Sequence, residues 1–565
     1  MYIHHTLQRY IATALRDFDV REHDIHLEHP ADFMHGDYAI NSALIYARNR
    51  GIAPRELAEQ FVQELTKDMP AYLERIEIAG PGFINLFLAR PFLQSTLADI
   101  IADSVHYGRG SLLSGKRVLI EHSSPNLFKP FHIGHMMNNA IGESLVRTAE
   151  YVGGDVIALS YPSDISLGIG KAIWFLLSNG GKEALAERAT LHEQILLLGS
   201  CYVQGVRAFD DTPEIQSDVR EITRQIFEQE PTPAYELYTL CKQLNIDYFI
   251  AITKRLGSHF ADFIFESEAG VRGQDMVRAH TPSVFRVSNG AHIYEGEQDG
   301  LHTRVFINAE GYPTYEAKDI GLLAIKFERY QPDISVLITD HEQKEYYKVV
   351  LAAAGNIAPV WRDCSVHVTH GRMTLLGQKM SSRLGGVPTA VELLDTLRSD
   401  VYEKNTDASD DLADAIALAA IKFTILKTQA GKNINFDPDQ SLSFEGDSGP
   451  YLQYTHARIQ SLLTKGEGMG IHPRIDGALS EEVLLERMLY RFPHILERVI
   501  KDYSPHHLAH YALEVARVFN SWYGGTKILD PENPHAPYYL GLAQATGIIL
   551  ERSLYLLGIH APERM

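Results

Sequence analysis

Residues 121–135 read Glu-His-Ser-Ser-Pro-Asn-Leu-Phe-Lys-Pro-Phe-His-Ile-Gly-His, and their flanks decide how the stretch folds. A short run rich in β-branched residues, Arg117-Val118-Leu119-Ile120, precedes it, and residues 136–152 after it carry helical spacing. The segment is therefore expected to be a strand, a loop and the opening of a helix. His132 and His135, three apart, fall on one side of the first turn. A helix N-terminus presents unpaired N–H groups and the positive end of a dipole, both of which favour phosphate. Gly134 leaves room for a flat ring against the backbone. The pattern suits a nucleotide whose phosphates meet backbone N–H groups and two imidazoles.

A second strand, Val156-Ile157-Ala158-Leu159, follows the Gly153-Gly154 turn. Strand, helix and strand in this spacing make a parallel crossover unit of the dinucleotide-binding kind. Ligands in such sheets bind beyond the strand C-termini, where residues 121–126 and 160–164 lie. Much later comes Gly377-Gln378-Lys379-Met380-Ser381-Ser382-Arg383-Leu384-Gly385-Gly386, a glycine-flanked polar loop with a lysine. Such a loop can close over a triphosphate and bring ammonium charge to it. Taken alone, it is equally a solvated turn.

Bulk properties suit a large enzyme. A chain of 565 residues with 45% hydrophobic content should form three or four ordinary globular domains. No apolar run is long enough to span a bilayer, and no charged-then-apolar leader opens the chain. Cys201, Cys241 and Cys364 are far apart and none sits in a Cys-x-x-Cys pair. A disulfide framework and a zinc knuckle are therefore not expected, and a reducing, cytoplasmic setting is. The net charge of −20 is awkward for an RNA-binding protein. Phosphate binding needs only a local basic surface, since fields fade within about 10 Å in moderate salt. Lysines and arginines are therefore expected to gather on one face.

The predicted fold class is α/β multidomain: a Rossmann-like parallel-sheet catalytic domain with an inserted subdomain, an N-terminal α/β domain and a C-terminal all-α bundle. Residues 1–112 form the first unit, with helical spacing over 38–47 and 54–65 and strands at Glu77-Ile78 and Phe83–Leu88 around a Gly-Pro-Gly turn. Residues 113–395 form the catalytic domain, with an insertion at about 171–315 that is helical and charged to 268 and then hairpin-like. Residues 396–442 connect. There, Leu412, Ile416, Ala419, Ala420, Phe423 and Leu426 are spaced for one buried helix face. Residues 443–565 are helical throughout. Pro450 suits a first turn, and Tyr451, Tyr454 and Arg458 share a face; core packing alone would account for the tyrosines.

In this order, on either side of an α/β pattern, the His-Ile-Gly-His segment and the lysine loop resemble the two nucleotide-binding motifs of class I aminoacyl-tRNA synthetases. Further stretches narrow the resemblance to arginyl-tRNA synthetases. They are Ser123-Ser124-Pro125-Asn126 with Lys129, Ala79-Gly80-Pro81-Gly82-Phe83-Ile84-Asn85, Tyr315-Glu316-Ala317-Lys318-Asp319-Ile320, residues 443–454 and the closing residues 557–565. The matches run from about residue 36 to the end of the chain. The resemblance implies ATP-dependent ligation of arginine to tRNA(Arg) through an arginyl-adenylate, with Mg²⁺ accompanying ATP and no metal held by the protein itself. It implies catalytic roles for His132, His135, Lys129 and Lys379, and ATP contacts from His132, Gly134, His135, Met380 and Ser381. Arginine would be held by Glu121, Asn126, Tyr315, Asp319 and Gln343. It would put Phe83 and Asn85 at the tRNA elbow and Tyr451, Tyr454 and Arg458 near the anticodon. A cytoplasmic monomer with no membrane partner is expected.

A free arginine needs planar, bidentate pairing for its guanidinium and a separate hold on its α-ammonium. Tyr315 and Asp319, four apart, would project together from a helix. A neutral analogue would leave the pocket carboxylate unpaired, and such rejection reaches roughly 10⁴-fold without proofreading. The insertion is too short and too helical for a hydrolytic domain, so no editing is expected. Two departures from the family pattern stand out. Ser382 occupies a position where the class loop usually has a second lysine, with Arg383 after it; Lys129 could supply that charge. Ser163-Asp164-Ile165-Ser166 stands where the family often has Gly-Asp-Trp-Gly, and Asp164 receives no role. The rival readings are a simple nucleotidyltransferase, a non-catalytic tRNA-binding paralogue and a synthetase for another amino acid. The first needs neither a helical C-terminal domain nor Tyr315 and Asp319. The second should have lost the histidines and carboxylates. The paired carboxylates disfavour an apolar substrate for the third.

Overall fold

A computed structural model of the chain describes residues 2–375, 389–476 and 483–565. The first unit contains α1 (Ile3–Ala14), β1 (Leu27–Glu28), β2 (Tyr38–Ile40), α2 (Ser42–Arg50), α3 (Pro54–Lys67), β3 (Leu73–Ala79), β4 (Phe83–Leu88) and α4 (Arg90–Ala102). Its antiparallel sheet has the order β1-β2-β4-β3. The helical spacing read over 38–47 fails at its start. Tyr38, Ala39 and Ile40 pair with Leu86, Asn85 and Ile84 of β4, and the helix begins only at Ser42. Strand pairing around a fully buried Tyr38 outweighs the local helical pattern.

The second unit opens as its sequence predicts, with β5 (Arg117–Glu121), α5 (Ile133–Tyr151) and β6 (Asp155–Ser160). A helical stretch follows: α6 (Leu167–Ser178), α7 (Gly181–Ala186), α8 (Leu191–Asp211), α9 (Pro213–Phe227) and α10 (Pro233–Arg255). The chain then returns to the sheet as β7 (Asp262–Phe263), which pairs in parallel with β6. The segment 171–315 is therefore not one continuous insertion; a two-residue strand is too short for its period to show in sequence. Next come α11 (Glu266–Ala279), an antiparallel sheet of β8 (Arg286–Ser288), β9 (Ala291–Tyr294) and β10 (Arg304–Ile307), and α12 (Tyr315–Tyr330). Then β11 (Ile334–Asp340), α13 (Lys344–Ile357), α14 (Pro359–Asp363) and β12 (Ser365–His370) complete the parallel sheet, order β12-β11-β5-β6-β7. Strand order reverses between β5 and β11, so a crevice opens beyond their C-terminal ends.

Helices α11 and α12 cross closely. A Cβ on Gly273 would stand 1.8 Å from the Ala317 carbonyl oxygen, and one on Gly321 would stand 1.9 Å from that of Ala269. Only bare glycine backbone allows this approach, which sets the first turn of each helix against the second turn of the other.

After β13 (Met373–Leu375) the chain continues through α15 (Ala390–Lys404), α16 (Asp410–Leu426), β14 (Ile434–Phe436) and α17 (Pro438–Ser441). Helix α16 buries more than the expected single face. Ala413, Ala417, Ile421 and Lys422 are enclosed together with Ile416, Ala419, Ala420, Phe423 and Leu426. The reason is its position, packed against α5, α15 and the C-terminal helices at once. Those helices are α18 (Gly449–Gly468), α19 (Glu486–Leu489), α20 (Phe492–Asp502), α21 (His506–Gly525) and α22 (Ala536–Leu556). One apolar core runs from the parallel sheet through α16 into them, while the first unit keeps its own core, to which Tyr490 contributes. Among the described residues, no helix is long and apolar enough to cross a membrane.

Candidate active site

A cavity of about 630 Å³ occupies the crevice beyond β5 and β11. Glu121 and Asn126 line it from the end of β5 and the following loop, and His132, Gly134 and His135 from the start of α5. Glu266 enters from α11, Tyr315, Glu316 and Asp319 from α12, and Asp340, Gln343 and Tyr346 from the C-terminal end of β11, the turn after it and the start of α13. The five residues expected to hold arginine, drawn from separate stretches of chain, thus meet in one space with both histidines.

The two imidazoles stack, with ring centroids 3.7 Å apart. His132 is the N-cap of α5. Its Nδ1 accepts from the Gly134 N–H at 3.1 Å, and His135 Nδ1 accepts from the His132 N–H at 3.2 Å. A neutral ring that accepts at Nδ1 carries its proton at Nε2. Burial holds both rings below the usual histidine pKa; Lys129 adds to this for His132, and His132 and Lys129 add to it for His135. The pair is therefore two neutral donors, each keeping an Nε2–H. The structure adds two details to the sequence reading. Two of the backbone N–H groups expected to meet phosphate are capped by the histidines themselves. The flat ring that lies on Gly134 is that of His132, 3.0 Å from where a Cβ would be.

Lys129 does not line this cavity. Its Nζ sits 4.5 Å from the centroid of the Tyr202 ring on α8, a cation–π arrangement. Lys379, Met380 and Ser381, with Ser382 and Arg383, fall outside the described residues. The chain re-enters the described region at the site itself: Thr389 forms a bridge with His132, and the Ala390 N–H donates to the Phe131 carbonyl at 2.8 Å.

Asp319 accepts the Tyr346 hydroxyl at 2.6 Å. Burial pushes its carboxyl up to about 7, with neighbouring Glu121 and Glu266 adding to the rise. Tyr315, at 58% exposure, stands at the mouth. Glu121 is enclosed and accepts from Lys326 of α12. Sequence reasoning missed Glu266, Tyr346, Lys318 and Lys326. Glu266 follows too short a strand to be anticipated. The lysines did leave a signal, since positions 318 and 326 are charged on a helix whose other residues are largely apolar. Asp164 proves to be a fastening: it accepts from Lys242 at 2.6 Å, from Tyr238 at 3.2 Å and from the Ser267 N–H at 2.8 Å, tying α10 and α11 to the loop after β6.

Of the residues expected at the tRNA elbow, Phe83 is 39% exposed, but Asn85 is 4% exposed. Asn85 is flanked by Ala39 of β2 and Glu77 of β3, so the sheet hides it and a surface contact there is not supported. The C-terminal trio does form a face. The Arg458 guanidinium lies 4.7 Å from the Tyr454 ring and 5.2 Å from that of Tyr523, and it donates to Asn520, which in turn donates to the Tyr451 hydroxyl at 3.0 Å.

Three family models match consecutive stretches: the arginyl tRNA synthetase N terminal domain over residues 5–88, the catalytic domain of class I (R) tRNA synthetases over 96–437, and the DALR anticodon binding domain over 452–565. The chain is 30% identical over 567 residues to the arginine–tRNA ligase of Limosilactobacillus reuteri, covering 98% of each. It is 28% identical over 551 residues to that of Streptococcus agalactiae, covering 95% of each. Its structure is similar to the arginyl-tRNA synthetase of Thermus thermophilus, with a TM-score of 0.80 at 25% identity over 99% of each chain. It shares the fold of the Plasmodium falciparum arginyl-tRNA synthetase, with a TM-score of 0.80 at 18% identity over 99% of this chain and 98% of the other.

Proposed function

The chain belongs to the arginyl-tRNA synthetase family, and on that premise we propose how its cavity carries out the ligation. As an arginine–tRNA ligase of class I it uses ATP and takes arginine and tRNA as substrates. The arginine guanidinium seats on Asp319, with Tyr315 closing over it from the mouth. Asn126 and Gln343 hold the amino-acid end, and Glu121 lies on the same wall. The substrate carboxylate then attacks the ATP α-phosphorus, forming arginyl-adenylate and releasing pyrophosphate. A terminal ribose hydroxyl of tRNA(Arg) next attacks the adenylate carbonyl, and AMP leaves.

No protein nucleophile is required. His132 and His135 donate through Nε2–H to phosphate oxygens as charge gathers there, and their stacking fixes both donors before the nucleotide arrives. Lys379 brings an ammonium to the same phosphates, and Lys129 contributes at longer range. Alignment of the reacting groups supplies much of the remaining rate. Among the described residues, no group of three His, Cys, Asp or Glu side chains is arranged to hold a metal ion. Mg²⁺ would accompany ATP, carried on the nucleotide's own phosphates.

The observation that carries this reading is the sharing of one cavity by Asp319 and the two neutral imidazoles. A nucleotidyltransferase would have no use for Asp319 or for the anticodon-type domain. A non-catalytic paralogue would have no need to keep the histidine donors. Selection against neutral analogues rests on the carboxylate they would leave unpaired, which makes editing unnecessary. Tyr451, Tyr454 and Arg458 offer rings and a guanidinium suited to unstacked bases. The enzyme acts as a cytoplasmic monomer.

ATP–pyrophosphate exchange with each amino acid, with and without tRNA, tests the assignment. Exchange should appear with arginine alone and only when tRNA is present. Exchange supported by any other amino acid would overturn it.

A further inference from the structure

We propose that Lys318 and Lys326 are positioning residues that set the charge of the arginine pocket, cancelling Glu266 and Glu121 so that Asp319 alone is left to take the substrate's cation. This rests on reading the cavity as an arginine site. Five carboxylates line that cavity: Glu121, Glu266, Glu316, Asp319 and Asp340. Four of them have a basic partner. Lys326 holds Glu121, Lys318 Nζ lies 2.7 Å from Glu266, Arg304 lies 3.0 Å from Glu316, and Arg372 lies 3.6 Å from Asp340. Among the described residues, Asp319 has no cation within ion-pair distance and receives only the Tyr346 hydroxyl.

Both lysines come from α12, the helix that carries Asp319. Lys326 is 0% exposed, and Lys318 is 8% exposed with its Nζ also donating to the Ile165 carbonyl at 3.2 Å. Enclosing an ammonium is unfavourable unless a carboxylate meets it, so each pair stands or falls together. The glycine crossing of α11 and α12 brings Glu266 within reach of Lys318. Without the lysines, three carboxylates would share one poorly solvated wall, and mutual repulsion would drive them to take up protons. With them, a single uncompensated negative charge remains, matched to one guanidinium. The lysines thus act on arginine through the carboxylates they neutralise.

Arginine and ATP KM values in tRNA-dependent exchange test this on the full-length enzyme. Lys318→Met should raise the KM for arginine about tenfold and leave that for ATP within about twofold, as loss of a substrate-specific interaction requires. Lys318→Arg should behave like the wild type. Glu266→Gln/Lys318→Met, which removes both charges, should bring the arginine KM back toward the wild-type value, and it also serves where the single variant folds poorly. An unchanged arginine KM in Lys318→Met, equal losses for both substrates, or a double variant no better than the single would overturn the proposal. A wild-type enzyme without arginine-dependent exchange would instead overturn the arginine reading beneath it.

Discussion

The Tyr346 hydroxyl donates to Asp319 Oδ2 at 2.6 Å and reaches the carboxylate from α13, in the cavity that the histidines also line. It steadies a group that burial has pushed up to about 7. On the proposed seating a guanidinium pairs with the ionised form, so arginine would displace any proton Asp319 holds. The sign follows directly. Below about pH 7 binding releases a proton and weakens as pH falls, and well above pH 7 it is independent of pH. The arginine KM should therefore rise about tenfold per pH unit on the acid side, with the ATP KM much flatter. A level arginine KM between pH 5.5 and 8, roughly the range spanning this carboxyl, would count against the assignment.

Replacing the carboxylate is a sharper cut. Asp319→Asn should raise the arginine KM by two orders of magnitude or about 3 kcal/mol, leaving ATP binding nearly intact. Equal losses for both substrates would mark Asp319 as structural. Tyr346→Phe should produce a milder version, several-fold in arginine KM, and should move the acid limb of the pH profile to higher pH because the hydroxyl no longer favours the ionised carboxylate.

The histidines should separate binding from chemistry. His135→Asn removes the Nε2–H donor that the proposed mechanism directs at phosphate, and loss of one such donor costs on the order of 10²-fold in rate. The arginine KM should barely move. Because His135 Nδ1 also caps the His132 N–H, circular dichroism and the thermal midpoint should accompany the kinetics. A fall in kcat matched by a rise in the arginine KM would contradict the division of labour.

A second histidine cluster joins the first unit to the C-terminal helices. His4 stacks on His494 at 3.9 Å, His494 Nδ1 lies 3.2 Å from His29 Nε2, and His29 Nδ1 lies 2.8 Å from the Asp37 carbonyl. Burial holds all three well below the usual histidine pKa, so they are neutral when docked. Separated, they would bind protons below about pH 6.5, and docking stability should fall as pH drops through that value. Urea midpoints at pH 7 and pH 5.5 should differ more in the wild type than in His29→Gln/His494→Gln. An equal acid shift in both would show that the cluster plays no part.

Much of the site was legible because its signals are local. The strand, loop and helix around His132 declare themselves through apolar spacing and glycine. Tyr315 and Asp319 announce a shared face by being four apart, and the order of motifs along the chain names the family. What stayed hidden depends on neighbours distant in sequence. Tyr38–Ile40 is a strand because β4 lies beside it, and Asn85 is enclosed because β2 and β3 flank it. Lys129 leans on Tyr202 of α8, away from the cavity.

The sequence by itself determined the kinds of group available: two imidazoles at a helix start, carboxylates suited to a guanidinium, and a parallel sheet to present them. Only the tertiary structure decided the state of those groups. Whether a histidine is a cation or a neutral donor, and whether a carboxylate already has a partner, depends on burial and on atoms within about 4 Å. Distances of that kind, such as Lys318 to Glu266 or Tyr346 to Asp319, are fixed by helix crossings and sheet order, which spacing along a chain does not encode.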